Sequence, residues 1–166
     1  MLDAGENIAL ISEAGTPLIS DPGHKIVVAA IQNNNPVIPI PGSSAILAAL
    51  VPSGLPTDKF VFEGFLPRKK GRKTRLEKLA DVEVTIVIYE SANRVRKTLE
   101  DIVKILGNRY IVLARELTKK FEEFIRGYVY DIAQELTHRQ IKGEIVILVA
   151  GTQFYPNLDT NTGNKV

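Results

Sequence analysis

Residues 8–23, IALISEAGTPLISDPG, constrain the fold of this chain more than any other stretch. Ile8 to Ile11 read as a short buried strand running into a tight turn at Gly15, Thr16 and Pro17. A second turn, Ser20-Asp21-Pro22-Gly23, then opens a helix, with Asp21 as N-cap and Pro22 at the first helical position. A strand end, a turn of small side chains and a helix start together let a ligand approach backbone N–H groups. Every βα unit needs a turn and a cap, so on pattern alone a structural turn is the commoner reading.

The pattern repeats once. The first helix carries Ile26, Val27, Ala30 and Ile31 on one side and stops at Gln32-Asn33-Asn34-Asn35-Pro36. A second apolar strand, Val37 to Ile40, leads through Pro41-Gly42 to Ser43, which is placed as the cap of a helix over residues 45–51. Leu2 to Gly5, ahead of all this, resemble the last turn of a helix with a glycine stop. Strand, helix, strand, helix is the order of a parallel α/β unit, and two strands are too few to make such a sheet stable alone. Residues 1–56 are therefore expected to be the back half of an α/β domain whose front half is absent.

From Lys59 the character changes. Residues 60–62 are a strand, and the basic segment Arg68–Lys78 (RKKGRKTRLEK) passes into a helix. A buried strand over 84–89, an amphipathic helix over 93–106 with Val95, Leu99, Ile102, Val103 and Leu106 on its apolar face, and a strand over 110–114 follow. Residues 122–129 suggest a strand paired with the preceding one; a short helix over 131–137 and a last buried strand over 144–149 close the series. Residues 57–151 thus form a second, α+β domain with a mixed, mostly antiparallel sheet, and the polar stretch 152–166 is expected to be a disordered tail.

Composition narrows the classes. In 166 residues, 45% hydrophobic and 24% charged, the balance is that of a globular chain. The absence of cysteine excludes disulfides and thiolate metal sites, and His24 and His138 are solitary, so neither a metal centre nor a nucleophile–histidine–acid triad is expected. With neither a signal-peptide pattern nor a bilayer-length apolar run, no membrane partner is expected and the expected compartment is the cytoplasm. A net charge of +2 says nothing of a nucleic-acid partner by itself; clustering does. Arg68, Lys69, Lys70, Arg72, Lys73, Arg75 and Lys78 face only one acid, Glu77. A charge run is usually a solvated face, but one so poor in acids suits a polyanion. Phe60, Phe62 and Phe65 just before it could stack a base, although core packing is the commoner use of such rings.

Two further clusters stand at the ends of apolar strands: Tyr89-Glu90-Ser91 with Arg94, and Arg115-Glu116-Leu117-Thr118-Lys119. Charges there often pair for structural reasons alone, yet the ends of sheet strands are also where α/β folds bind ligands. Gly143-Glu144, entering the last strand, is a weaker third.

The literal strings carry more than the pattern. ALISEAGTPLISDPG, PIPGSSAILAAL, SGLPTDKFVFEGFLPRK, IVIYESANRV, ARELTK and KGEIVILVAG, in this order, resemble the tetrapyrrole methylase superfamily, the class III S-adenosylmethionine-dependent methyltransferases. The combination of GFLPRK, YESxxR and RELTK is similar to the branch that methylates a cytidine ribose 2′-hydroxyl in 16S rRNA. The resemblance implies two domains with S-adenosylmethionine in the cleft between them, a small-ribosomal-subunit partner and a homodimer. It implies cofactor contacts from Gly15, Thr16, Ile19, Ser44 and Ala45, with Tyr89, Arg115 and Glu144 lining the remainder. It places Arg68, Lys69, Lys70, Arg72, Lys73, Arg75 and Arg94 toward RNA. Attack of a ribose hydroxyl on the sulfonium methyl needs a group that takes the proton or stabilises the developing alkoxide, and Glu116 and Lys119 are the candidates. The family's opening TPIGNLxDIT and EDTR motifs have no counterpart, so the chain is expected to be an N-terminally truncated copy. Two other readings stay open: a class III enzyme acting on a tetrapyrrole, and a non-catalytic RNA-binding remnant.

Overall fold

The computed structural model describes residues 1–156, which divide into two compact units, Met1–Ala48 and Ala49 onward.

In the first unit a 3-10 turn, Leu2–Ala4, is stopped by Gly5 at φ 80°, as its short apolar run and glycine predict. Helix α1 spans His24–Gln32 and α2 spans Ala45–Leu50. Three expectations are corrected here. Residues 8–11 and 37–40 form no strand; Ile11, Ile38 and Ile40 are each more than three-quarters exposed. A strand forms only where a neighbour completes its hydrogen-bond ladder, and among the described residues neither stretch has one. The N-cap of α1 is Gly23, not Asp21. The chain reaches the helix through left-handed residues Leu18 (φ 72°) and Ser20 (φ 64°), and Gly23 takes φ 133°. A Cβ on Gly23 would lie 2.9 Å from Leu10 Cδ2. A glycine is required there by both backbone angle and space. Likewise α2 starts at Ala45, so Ser44 rather than Ser43 flanks it.

The second unit is built on a five-stranded sheet: β1 Phe60–Phe65, β2 Thr85–Ser91, β3 Tyr110–Arg115, β4 Glu123–Tyr128 and β5 Glu144–Val149, in the spatial order β1-β2-β5-β3-β4. Only β1 and β2 pair in parallel; the other three pairings are antiparallel. A parallel pair needs a crossover, and the basic segment supplies it, with α3 at Arg72–Glu77. Helices α4, Val95–Leu106, and α5, Val129–Glu135, complete the layer. One sheet face, bearing Ile86, Ile88, Ile111, Leu113, Ile145 and Ile147, packs with Leu76, Leu99, Ile102 and Ile132 of these helices. Each such side chain contributes about 2 kcal/mol by burial. The alternate residues Val87, Val112, Ala114 and Leu148 are buried as well, which is why β2, β3 and β5 read as unbroken apolar runs.

Residues 49–56, expected with the first domain, are fastened to this sheet. Arg126 Nη2 donates to Pro52 O (2.7 Å), Thr85 Oγ1 donates to Pro56 O (2.7 Å), and Ser53 Oγ closes a local turn on Leu50 O. At the other end Thr152 N donates to Val82 O (3.1 Å) and the Phe154 ring lies 5.9 Å from that of Tyr110. The rest of the expected tail, from residue 157, lies outside the described residues.

Candidate functional site

In the first unit the two motif turns touch. Thr16 Oγ1 donates to Ser43 O (2.9 Å), and Ser12 Oγ donates to Gly15 O (2.9 Å) inside the first turn. Gly15 sits at φ 73°, where a Cβ would meet Ser43 O at 3.8 Å. Gly15, Thr16, Ser44 and Ala45 are thus held within a few residues of one contact, with Ile19 exposed beyond it. Left-handed Leu18 and Ser20 add strain of about 1–3 kcal/mol each, the kind of expense that collects at ligand sites.

In the second unit the register brings three motif-bearing strand ends to one edge. Ser91 opposes Glu144, Tyr89 opposes Val146, and Arg115 opposes both Ile145 and Glu123. Tyr89 is half-buried, with the Phe62 and Phe65 rings edge-on at 4.9 and 5.6 Å. Both rings thus pack against Tyr89, with Phe62 half-buried and Phe65 half exposed.

The Arg115–Lys119 loop is strained and locked. Glu116 (φ 47°) and Thr118 (φ 63°) are both left-handed. Glu116 N donates to Glu144 O (2.9 Å), and the Glu116 carboxylate accepts from Glu144 N (2.9 Å). Lys119 Nζ donates to Glu116 Oε1 (3.3 Å) and Glu144 Oε2 (2.9 Å), while Thr118 N donates to Glu122 Oε2 (2.6 Å). The Glu144 backbone N–H, and then Lys119, hold the Glu116 carboxyl below its usual range. Hydrogen bonds to Glu144 and Glu116 hold the Lys119 ammonium above its own. Gly143, at φ 93°, makes room: a Cβ there would overlap the Glu116 carboxylate. The only sequence signal for that role was the glycine's place just before the last strand.

Arg115 is the least satisfied member. Its Nη1 reaches Glu123 Oε2 at 3.3 Å, but its Nε is buried without a hydrogen-bond partner. Glu123 itself is claimed by Arg139 Nη2, at 2.8 Å to Oε1 and 2.5 Å to Oε2. The Arg139 hydrogen bonds hold the Glu123 carboxyl low. Sequence reading had singled out neither Glu123 nor Arg139, which meet across an interval of 16 residues.

The expected RNA-facing cations separate into two sets. Arg68, Lys69, Lys70 and Lys73 are exposed, Lys73 with a loose Glu77 partner at 3.6 Å. Arg72 is buried: it donates to Asp101 Oδ2 (2.8 Å), Thr98 Oγ1 (2.7 Å) and Pro67 O (3.2 Å). Arg75 pairs with Glu63, and half-buried Arg94 holds Leu66 O (2.5 Å) and the buried Glu90 carboxylate (3.2 Å). Among the described residues no group of three or more His, Asp or Glu is placed to hold a metal ion, and no helix is long and apolar enough to cross a membrane.

A mixed five-stranded sheet covered by helices, with polar strand ends gathered at one edge, defines the α/β class. Residues 1–133 match the family model of Tetrapyrrole (Corrin/Porphyrin) Methylases, and the chain belongs to that family. It is 49% identical over 148 residues to a protein of Halalkalibacterium halodurans named ribosomal RNA small subunit methyltransferase I, covering 89% of this chain and 51% of the relative. A Synechocystis protein of the same name is 49% identical over 152 residues, covering 90% of this chain and 54% of the relative. The chain thus spans about half the length of the curated relatives it matches. Among solved structures, uroporphyrin-III C-methyltransferase from Thermus thermophilus, complexed with S-adenyl homocysteine, shares the fold: TM-score 0.56, 17% identity, 82% of this chain and 62% of that one.

Proposed function

We propose that this chain is part of an S-adenosylmethionine-dependent methyltransferase that acts on the 2′-hydroxyl of a cytidine ribose in small-subunit ribosomal RNA. The observation that carries this reading is the convergence of the Tyr89, Arg115 and Glu144 strand ends on one sheet edge. The chain that shows it is nearly half identical to relatives named for rRNA methylation. A cytoplasmic location and a homodimer belong to the same proposal.

The residues present fit a methyl donor. The buried Arg115 Nε lacks an acceptor that a polar ligand atom would supply, and the joined turns at Thr16 and Ser43 offer small side chains and backbone. Each unit carries its own proposed donor contacts: Gly15, Thr16, Ile19, Ser44 and Ala45 in the first, and Tyr89, Arg115 and Glu144 in the second. When bound, S-adenosylmethionine supplies an electrophilic methyl group on a sulfonium. The protein's share is positioning and charge. Lys119, kept protonated by its two carboxylate partners, would stabilise negative charge on the ribose oxygen as the hydroxyl proton passes to solvent water. Glu116 anchors Lys119 and the Glu144 backbone; a carboxylate held this low is a weak base, so its part in the proton's departure lies in orienting Lys119. Arg68, Lys69, Lys70, Lys73, Arg75 and Arg94 are proposed to meet the RNA, with Arg72 setting their frame.

Calorimetric titration with S-adenosylmethionine, followed by nucleoside analysis of small subunits incubated with donor and protein, tests this reading. Donor binding and 2′-O-methylcytidine are the expected outcome. Methylation of uroporphyrinogen instead would replace the RNA substrate with a tetrapyrrole, and absence of donor binding would remove the methyltransferase reading. Lys119→Met is expected to lower turnover about 100-fold with donor affinity unchanged, the loss typical of one charge-stabilising donor.

A further inference from the structure

A cavity of about 530 Å³ opens beside the crossover between β1 and β2, lined by Arg68, Arg72, Ser91, Asn93, Arg94 and Lys97. Four cationic side chains in one concavity repel one another unless counter-charge is present. Part of that charge comes from the protein. Asp101 is shared between Arg72 (2.8 Å) and Lys97 (2.9 Å), with Glu100 more distant from Lys97 at 3.9 Å. Glu90 serves Arg94 at 3.2 Å. Burial pushes the Asp101 carboxyl up, but the Arg72 and Lys97 hydrogen bonds outweigh it and keep the group ionised. Among the described residues Arg68 has no acidic partner.

The lining is also pre-organised. Arg72 is fixed by Thr98 Oγ1, Pro67 O and Asp101, and Arg94 by Leu66 O and Glu90. Each guanidinium carries five N–H groups, so both retain donors after these bonds are counted. Ser91 and Asn93 add neutral donors at the rim, both exposed. Guanidinium forks, an ammonium and hydroxyl or amide donors around a solvent-filled hollow are the recognition set of a tetrahedral oxyanion.

We propose that this cavity seats one phosphodiester group of the RNA strand, with Lys97, Ser91 and Asn93 as contacts beside the arginines. The inference rests on the RNA-substrate reading above and locates where the strand is gripped. An RNA phosphate is favoured over a free one because the exposed Lys69, Lys70 and Lys73 continue from Arg68 along the same segment. A single small anion has no use for that strip, whereas successive phosphates of a strand do.

The test uses the whole chain, a fluorescein-labelled RNA oligonucleotide and anisotropy titrations over a series of potassium chloride concentrations. The variant is Arg68→Gln with Lys97→Gln, both exposed positions, and the control is Lys104→Gln, an exposed cation of the same helix. The double variant is expected to bind roughly tenfold more weakly and to lower the slope of log affinity against log salt by about one. Lys104→Gln should change neither. Affinity and slope equal to wild type in the double variant would overturn the proposal and leave the methyltransferase reading intact. Inorganic phosphate at constant ionic strength separates the sources. If it binds wild type but not the variant while RNA affinity is unaltered, the cavity takes free phosphate and the RNA assignment falls. A wild type that binds donor in the calorimeter but no RNA overturns the pocket and the RNA-substrate reading together, and leaves donor binding standing.

Discussion

Gly143 shows how much one missing methylene permits. Its φ of 93° and the Glu116 carboxylate lying where a Cβ would go make alanine there costly in two ways. Gly143→Ala is expected to lower stability by about 1–3 kcal/mol, read from a denaturant titration. Adding Glu116→Ala should return the steric part and leave the backbone part, a coupling that a double-mutant cycle reports. The carboxylates predict an acid limb. Glu116 and Glu123 are held below an ordinary value of 4.5, so their stabilisation is complete above that value and is lost as pH falls through the lower folded ones. The unfolding midpoint should stay level between about pH 7 and 5 and fall below that range. Glu116→Gln should flatten part of the fall; an unchanged acid limb would refute the assignment. The spacing RELTK was visible in the sequence, and so was its place after an apolar strand. The lock was not, because it joins residues 28 apart through two backbone N–H groups.

At the scale of elements, α4 was the easiest to read and the one with most hidden in it. Its spacing of Val95, Leu99, Ile102 and Leu106 announced a buried face, and Gly107 announced its end. The same face buries Thr98, whose hydroxyl accepts from Arg72 (2.7 Å) and donates to Glu90 (2.5 Å). Thr98→Val keeps the shape and removes one hydrogen bond from each charged partner, so a loss of about 2–4 kcal/mol is expected in denaturant midpoint and slope analysis. The basic segment was legible as charge but not as two populations, since Arg72 turns inward toward partners on a helix 26 and 29 residues away. Strands β2, β3 and β5 were legible because burial on both faces leaves no polar alternation to misread. The stretches 8–11 and 37–40 have the same composition but no ladder among the described residues. Apolar content marks a segment that can be a strand, and only a neighbour makes it one.

Across the whole molecule, that difference predicts uneven protection. Amide hydrogen exchange followed by mass spectrometry should show slow exchange throughout β2, β5 and β3 and fast exchange over 8–11 and 37–40. Equal protection in both would contradict the unladdered state of the latter. The order of strands was the part of the sheet least open to sequence reading, because which strands neighbour each other depends on the last of them. β2 and β3 run the same way and do not touch; β5, the final described strand, lies between them and bonds to both. A polypeptide emerging from the ribosome therefore carries two open halves, β1 with β2 and β3 with β4, until residues 144–149 arrive to zip them together. Until then two apolar strand edges stand bare to any passing chain. The nascent chain should consequently offer these edges to chaperone holdases until residues 144–149 pair with both halves, and release them once that pairing is made.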